Sequence, residues 1–164
     1  MISKPSHGIV AAISTLVLSA VSFTAMAQAP AAGTGPTPAE RAIEYRQALY
    51  TVMANNWGPV GQMLAGRMPF NGADAAKRAA RVAFIAAVLP EAYPDISKDG
   101  DTKAKPDIWA NRAEFDKINK DLGDHTAALA ALLAKDTTGG DAFKTAATAV
   151  ANDCKTCHDK FRAK

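Results

Sequence analysis

Cys154-Lys155-Thr156-Cys157-His158 lies six residues from the end of a 164-residue chain and holds its only two cysteines. C-x-x-C-H is the attachment motif of haem c, and its spacing has a chemical reason. On a helix, residues three and four apart share a side. Cys154 and Cys157 can therefore each bond one vinyl group of the same porphyrin, while His158 reaches the iron as axial ligand. One covalent haem c per chain is expected.

The flanking residues agree with this reading. Phe143, Ala147, Val150, Cys154, Cys157 and Phe161 recur at steps of 4, 3, 4, 3 and 4. That repeat is an a/d seam, which turns both thiols toward a helix-bundle core. Two other chemistries compete for a C-x-x-C pair. A dithiol redox site favours a helix N-terminus beside a βαβ pattern, whereas this motif ends a helix with no strand pattern nearby. A zinc site needs a fourth ligand at motif spacing, and none is visible.

Upstream, residues 1–27 read as a secretory signal peptide, with Lys4, an apolar run from Ile9 to Phe23 and the cleavage pattern Ala25-Met26-Ala27. The apolar run is short for a membrane anchor. Residues 28–36 form a loose Ala/Pro/Gly leader, and 37–164 a single domain. Beyond Ala27 stand all 16 acidic and 18 of the 19 basic residues, a formal balance of +2. That balance and the absence of a basic run give no sign of nucleic-acid binding. Export, with both thiols committed to a cofactor, predicts the periplasm.

Four helices are expected between Thr37 and Phe161. Thr37-Pro38-Ala39-Glu40 reads as a capping box with proline at the first helical position. This first helix runs to about Trp57, where Gly58-Pro59 threatens a kink, and then on to Leu64. A loop over 67–72 precedes a second, alanine-rich helix from about Ala73 to Leu89. Pro90 and Pro94 end it, and residues 92–105 read as a polar loop. The third helix spans about 106–135, with Ile108, Phe115, Ile118, Leu122, Leu129 and Leu132 as its seam. After a break at 137–140, Asp141 is expected to cap the fourth. Four amphipathic helices without alternating strands predict an all-α, antiparallel four-helix bundle.

At this point the sequence resembles the cytochrome c prime family of class II c-type cytochromes. The resemblance covers essentially all of the chain after residue 27. It rests on Tyr45-Arg46-Gln47, on Pro106-Asp107-Ile108-Trp109 with Phe115, and on the run from Cys154 to Arg162. It implies binding of nitric oxide and carbon monoxide, one-electron transfer with an unspecified redox protein, and a homodimer built through helices one and two. No turnover enzyme is implied, and the sequence shows no triad, paired catalytic carboxylates or phosphate loop.

The resemblance also bears on the iron's second axial side. Low-spin relatives carry a methionine ligand three residues after the Arg-Gln pair, and here that residue is Tyr50. Tyr50 resembles the packed distal face of five-coordinate, high-spin members. The alternative is a six-coordinate, low-spin electron carrier of the c-556 type with Met53 as ligand, although methionine at helical spacing is more often core filler. Arg46 and Gln47 share a side of helix one with Tyr50. Their polar ends can hold the haem propionates, as the family resemblance also implies. Arg162, four residues after His158, is implied to lie beside the proximal imidazole. His125, in helix three, reads as a boundary residue with a solvent or backbone partner.

Overall fold

The computed structural model describes residues 35–164. The expected signal peptide over 1–27 and nearly all of the leader over 28–36 lie outside them. The described chain forms α1 (Pro38–Leu64), α2 (Gly72–Val88), a short α3 (Asp107–Ala110), α4 (Arg112–Leu133) and α5 (Asp141–Phe161). The four long helices make an antiparallel bundle in which α2 packs between α1 and α4, and α5 between α4 and α1. Of these neighbouring pairs, α1 and α5 meet least.

The start of α1 is the expected capping box. The Thr37 hydroxyl accepts from the Glu40 amide (3.2 Å), and the Glu40 carboxylate accepts from the Thr37 amide (2.7 Å). Pro59 does not interrupt the helix, which runs unbroken to Leu64. Proline removes the donor that would serve the carbonyl four residues earlier. That carbonyl, on Asn55, accepts instead from the Arg78 guanidinium of α2 at 3.0 Å. A cross-helix bond thus fills the missing rung.

At one end of the bundle the loops over 65–71 and 134–140 meet. Phe70 packs on Phe143 with centroids 4.8 Å apart. Asn71 caps α2, its side chain accepting from the Asp74 amide at 3.0 Å. Gly139 has φ +72°, and a Cβ there would lie 2.4 Å from the Phe70 ring. A Cβ on Gly72 would lie 2.3 Å from the Thr137 carbonyl oxygen.

Four expectations about the elements need correction. Residues 92–105 are not simply a polar loop: 3₁₀ turns span Leu89–Ala92 and Asp95–Ser97, and Ala92, Tyr93 and Ser97 are buried. The third helix is two helices, parted where Asn111 leaves the helical region (φ −121°, ψ 47°). Along α4 the core position near the C-terminus is Leu133, fully buried, and Leu132 is only half-buried. A straight helix drifts about 20° per heptad against a strict seven-residue repeat, so the core face falls one residue later. The cap of α5 is Gly140. Asp141 is a first-turn acid, favourable at the positive end of the helix dipole.

Two apolar clusters fill the bundle. The larger joins α1, α2, α4 and α5 around Val60, Val82, Leu129, Phe143 and Val150. The smaller gathers Ala92, Tyr93, Ile108, Phe115, Ile118 and Phe161 at the opposite end from the Phe70 loops. Edge-to-face contacts link Tyr93 to Phe115 (4.6 Å) and Phe115 to Phe161 (5.4 Å).

The close approach at Gly72 gives a test of the loop packing. Gly72→Ala gains helix propensity but must push back the Thr137 backbone, an overpacking cost of about 1–3 kcal/mol. A lowered midpoint of thermal unfolding is expected; a midpoint equal to or above the parent's shows that the two loops separate freely.

Candidate functional site

Where α1 and α5 meet least, the bundle encloses a cavity of about 490 Å³. That lies within the range of roughly 300–1,000 Å³ typical of sites for bound organic groups. Its walls are mainly apolar and aromatic: Trp57, Val82, Phe115, Ile118, Leu122 and Phe161. The cavity sits at the join of the two clusters, since Cys154 packs against the larger and Cys157 against the smaller.

The α5 seam places its residues as the spacing predicts. Phe143, Ala147, Val150 and Phe161 are buried, and Cys154, Cys157 and His158 all line the cavity. Burial pushes both thiols up to about 11, with Asp153 and Cys157 adding to the effect at Cys154. At neutral pH they are protonated, the opposite of the lowered thiol pKa on which dithiol redox chemistry depends. The His158 pKa is lowered, first by burial and then by the Arg162 cation, against an opposing pull from Asp159. Its imidazole is thereby held toward the neutral form that binds metals.

Arg162 lines the same cavity and follows the end of α5 as its C-cap, in extended conformation. An isolated bridge pairs it with Ala104. The Phe161 carbonyl accepts from the Lys105 amide (2.9 Å), and Lys103 accepts from the Ala163 amide (2.8 Å). The segment before α3 is thus tied to the chain end beside His158.

On α1, Tyr50, Met53, Arg46 and Gln47 also line the cavity. Tyr50 hydrogen-bonds through its hydroxyl to that of Tyr93 at 2.8 Å. Met53 is buried within the larger cluster. Arg46 lines the cavity and also bonds to the 92–102 segment through its terminal nitrogens. They donate to the Ala92 carbonyl (3.1 Å), the Ser97 hydroxyl (2.9 Å), the Ser97 carbonyl (3.2 Å) and the Thr102 hydroxyl (2.9 Å). The guanidinium also stacks over Tyr93, 4.9 Å from the ring centroid. Gln47 donates to the Asp101 carbonyl at 2.9 Å. Burial lowers the Arg46 pKa, but a guanidinium stays charged.

His125 lies away from these walls. It is an exposed boundary residue whose Nδ1 is 2.6 Å from the Asp153 carboxylate, an acidic partner that its spacing does not announce.

Sequence reasoning missed Tyr93, and with it the Thr102–Ala104 stretch and Asn119, among the cavity residues. Tyr93 sits between Ala92 and Pro94 in a stretch without helical period, and only an aromatic inside an otherwise polar segment hinted at burial. Trp109 is buried at Nε1, with no hydrogen-bond partner among the described residues.

A haem c fits these residues. Two protonated thiols and a neutral-leaning imidazole share one wall of a largely apolar and aromatic space, and Tyr50 and Met53 line it from α1. Cys154 and Cys157 would hold the porphyrin edge, and His158 the metal.

Comparison with known proteins gives the same result. A family model described as Cytochrome C' matches residues 41–162. A cytochrome c' of Rubrivivax gelatinosus is 38% identical over 125 residues, covering 75% of this chain and 95% of the relative. Among solved structures, cytochrome c prime from Shewanella frigidimarina superposes with a TM-score of 0.73 at 34% identity, covering 79% of this chain and all of that one. A ferrous variant of the Alcaligenes xylosoxidans protein with bound nitric oxide has a TM-score of 0.67 at 27% identity, covering 77% and 96%. Another variant of that protein, with carbon monoxide bound, scores 0.67 at 28% identity, covering 77% and 97%. The chain belongs to the cytochrome c' family, whose members bind haem c and serve as electron-carrying or gas-binding proteins, not enzymes.

Proposed function

We propose that this chain is a periplasmic gas-binding haem protein, with one haem c bonded to Cys154 and Cys157 and ligated axially by His158. The observation that carries the reading is the convergence of those three side chains on a single cavity, lined from α1 by Tyr50. When bound, the haem supplies an iron that cycles between ferric and ferrous and takes up nitric oxide or carbon monoxide.

The protein's own residues determine what reaches that iron. Tyr50 stands where a low-spin relative would offer methionine. Its ring shuts out a sixth protein ligand and leaves the iron five-coordinate, and a diatomic entering on that side must displace packed atoms. A strongly bonding gas overcomes this steric cost more readily than a weak one. Arg162, the cation facing His158, provides a polar neighbour on the proximal side. Periplasmic location follows from the signal-peptide pattern over residues 1–27. Among the described residues no helix is long and apolar enough to cross a membrane.

A homodimer through α1 and α2 is part of this proposal. Tyr45, Val52 and Phe84 are large apolar side chains exposed by 45%, 50% and 70%. They line a shallow groove between the two helices, with Leu49 and Ile85 at its floor. Contiguous exposed apolar surface of this kind marks an interaction site.

Three measurements test the reading. Haem should stay with the polypeptide through denaturation and acid–organic extraction, and Ser at both Cys154 and Cys157 should release it; haem that extracts freely from the parent protein overturns covalent attachment. Tyr50→Ala should speed carbon monoxide association at least several-fold in flash photolysis. Unchanged kinetics would transfer the distal role to Met53, which lines the same cavity, and with it the low-spin electron-carrier alternative. Sedimentation at micromolar concentration should show a dimer that Phe84→Glu converts to monomer. A monomeric parent protein removes the dimer.

A further inference from the structure

Tyr50 does not stand alone. Its hydroxyl lies 2.8 Å from that of Tyr93, and both rings line the cavity. Tyr93 is 5% exposed and wedged on three sides. Phe115 meets it edge-on at 4.6 Å, Trp109 is tilted against it at 6.1 Å, and the Arg46 guanidinium covers it at 4.9 Å. Its backbone is held as well. The Ala92 carbonyl just before it accepts from Arg46, and its own carbonyl accepts from Arg112 at 3.1 Å. Tyr93 is therefore a fixed point, and it is the one hydrogen-bond partner of the Tyr50 hydroxyl among the described residues.

From this geometry we infer that Tyr93 is a positioning residue for gas entry. Its hydroxyl pins the Tyr50 ring across the cavity, and Arg46 in turn pins Tyr93. The inference deepens the gas-binding reading and rests on it. To admit a diatomic, the Tyr50 ring must swing, and swinging breaks the bond to Tyr93 or strains it. The bond is part-buried, and opening it leaves both hydroxyls without a protein partner among the described residues, so it resists the swing. The access rate is then set by a residue 43 positions away in the chain, on the segment that also brings Thr102 and Ala104 to the cavity wall. Desolvation supports the same picture: it raises the Tyr50 hydroxyl well above its ordinary pKa and Tyr93 to about 12. Both phenols remain protonated, and the bond remains available, across the physiological range.

The test is a double-mutant cycle on the haem-loaded protein, read by carbon monoxide association after flash photolysis. Tyr93→Phe keeps the ring packing and removes only the hydroxyl. We expect it to accelerate association several-fold, matching Tyr50→Phe, with no further gain in the double variant. A general loosening of the bundle would instead add to the effect of Tyr50→Phe, so additive rates overturn the inference. A second readout does not involve gas rates. In the diamagnetic ferrous carbon monoxide form, proton NMR should show one slowly exchanging phenolic hydroxyl, lost in either single variant. Retention of that resonance in Tyr93→Phe also overturns it. If Tyr50→Ala accelerates association while Tyr93→Phe does not, the positioning role fails and the distal role of Tyr50 stands. If Tyr50→Ala itself has no effect, the distal reading fails first.

Discussion

The face of α5 that carries two thiols and an imidazole does not close on α1. A seam of leucines there would let α5 pack on α1 as tightly as α2 packs on α4. Instead Cys154, Cys157 and His158 face a space that α1 lines with Tyr50, Met53 and Trp57. The remaining contacts compensate for the loosened pair. The α2–α4 and α4–α5 faces form the continuous core around Leu129 and Val150. The far end is sealed by a separate aromatic cluster centred on Phe115. Splitting the core into two clusters leaves the cavity at their join, with one cysteine belonging to each.

Much of this was legible because it is local. The motif, the α5 seam and the Thr37–Glu40 capping box depend on residues within a turn or two of one another, where spacing alone determines geometry. Errors arose where a long-range partner overrode the local signal. Pro59 reads as a helix breaker until Arg78 supplies the absent donor from α2. Arg46 reads as a propionate partner alone, whereas the 92–102 segment also takes four hydrogen bonds from it. His125 reads as a boundary residue, and nothing in its own helix announces Asp153. Leu133 in place of Leu132 is a different kind of error, an accumulation of helical phase over two heptads.

The cavity has a division of labour between helix and loop. The helices supply the Cys154 and Cys157 thiols, the His158 imidazole and the Tyr50 ring. The connecting segment between α2 and α3 supplies Tyr93, Thr102, whose hydroxyl accepts from Arg46, and the strand-like pairing of Ala104 with Arg162. Functional residues on a loop need a scaffold to hold them. Here the scaffold is a charged side chain from α1 and the chain end beyond α5.

The Arg46 clamp has a bearing on how the chain selects one packing out of many. The apolar face of α1, with Ile43, Met53, Val60 and Met63, is greasy and forgiving; a slide by one turn would still bury aliphatic carbon. A guanidinium is not forgiving. Its four bonds point at Ala92, Ser97 and Thr102, and any translation or rotation of α1 leaves an uncompensated cation in apolar surroundings, at a cost of several kcal/mol. The apolar stripe provides most of the adhesion and almost none of the addressing. One buried ion, 46 to 56 residues distant from its acceptors, distinguishes the native register of the bundle from its near neighbours.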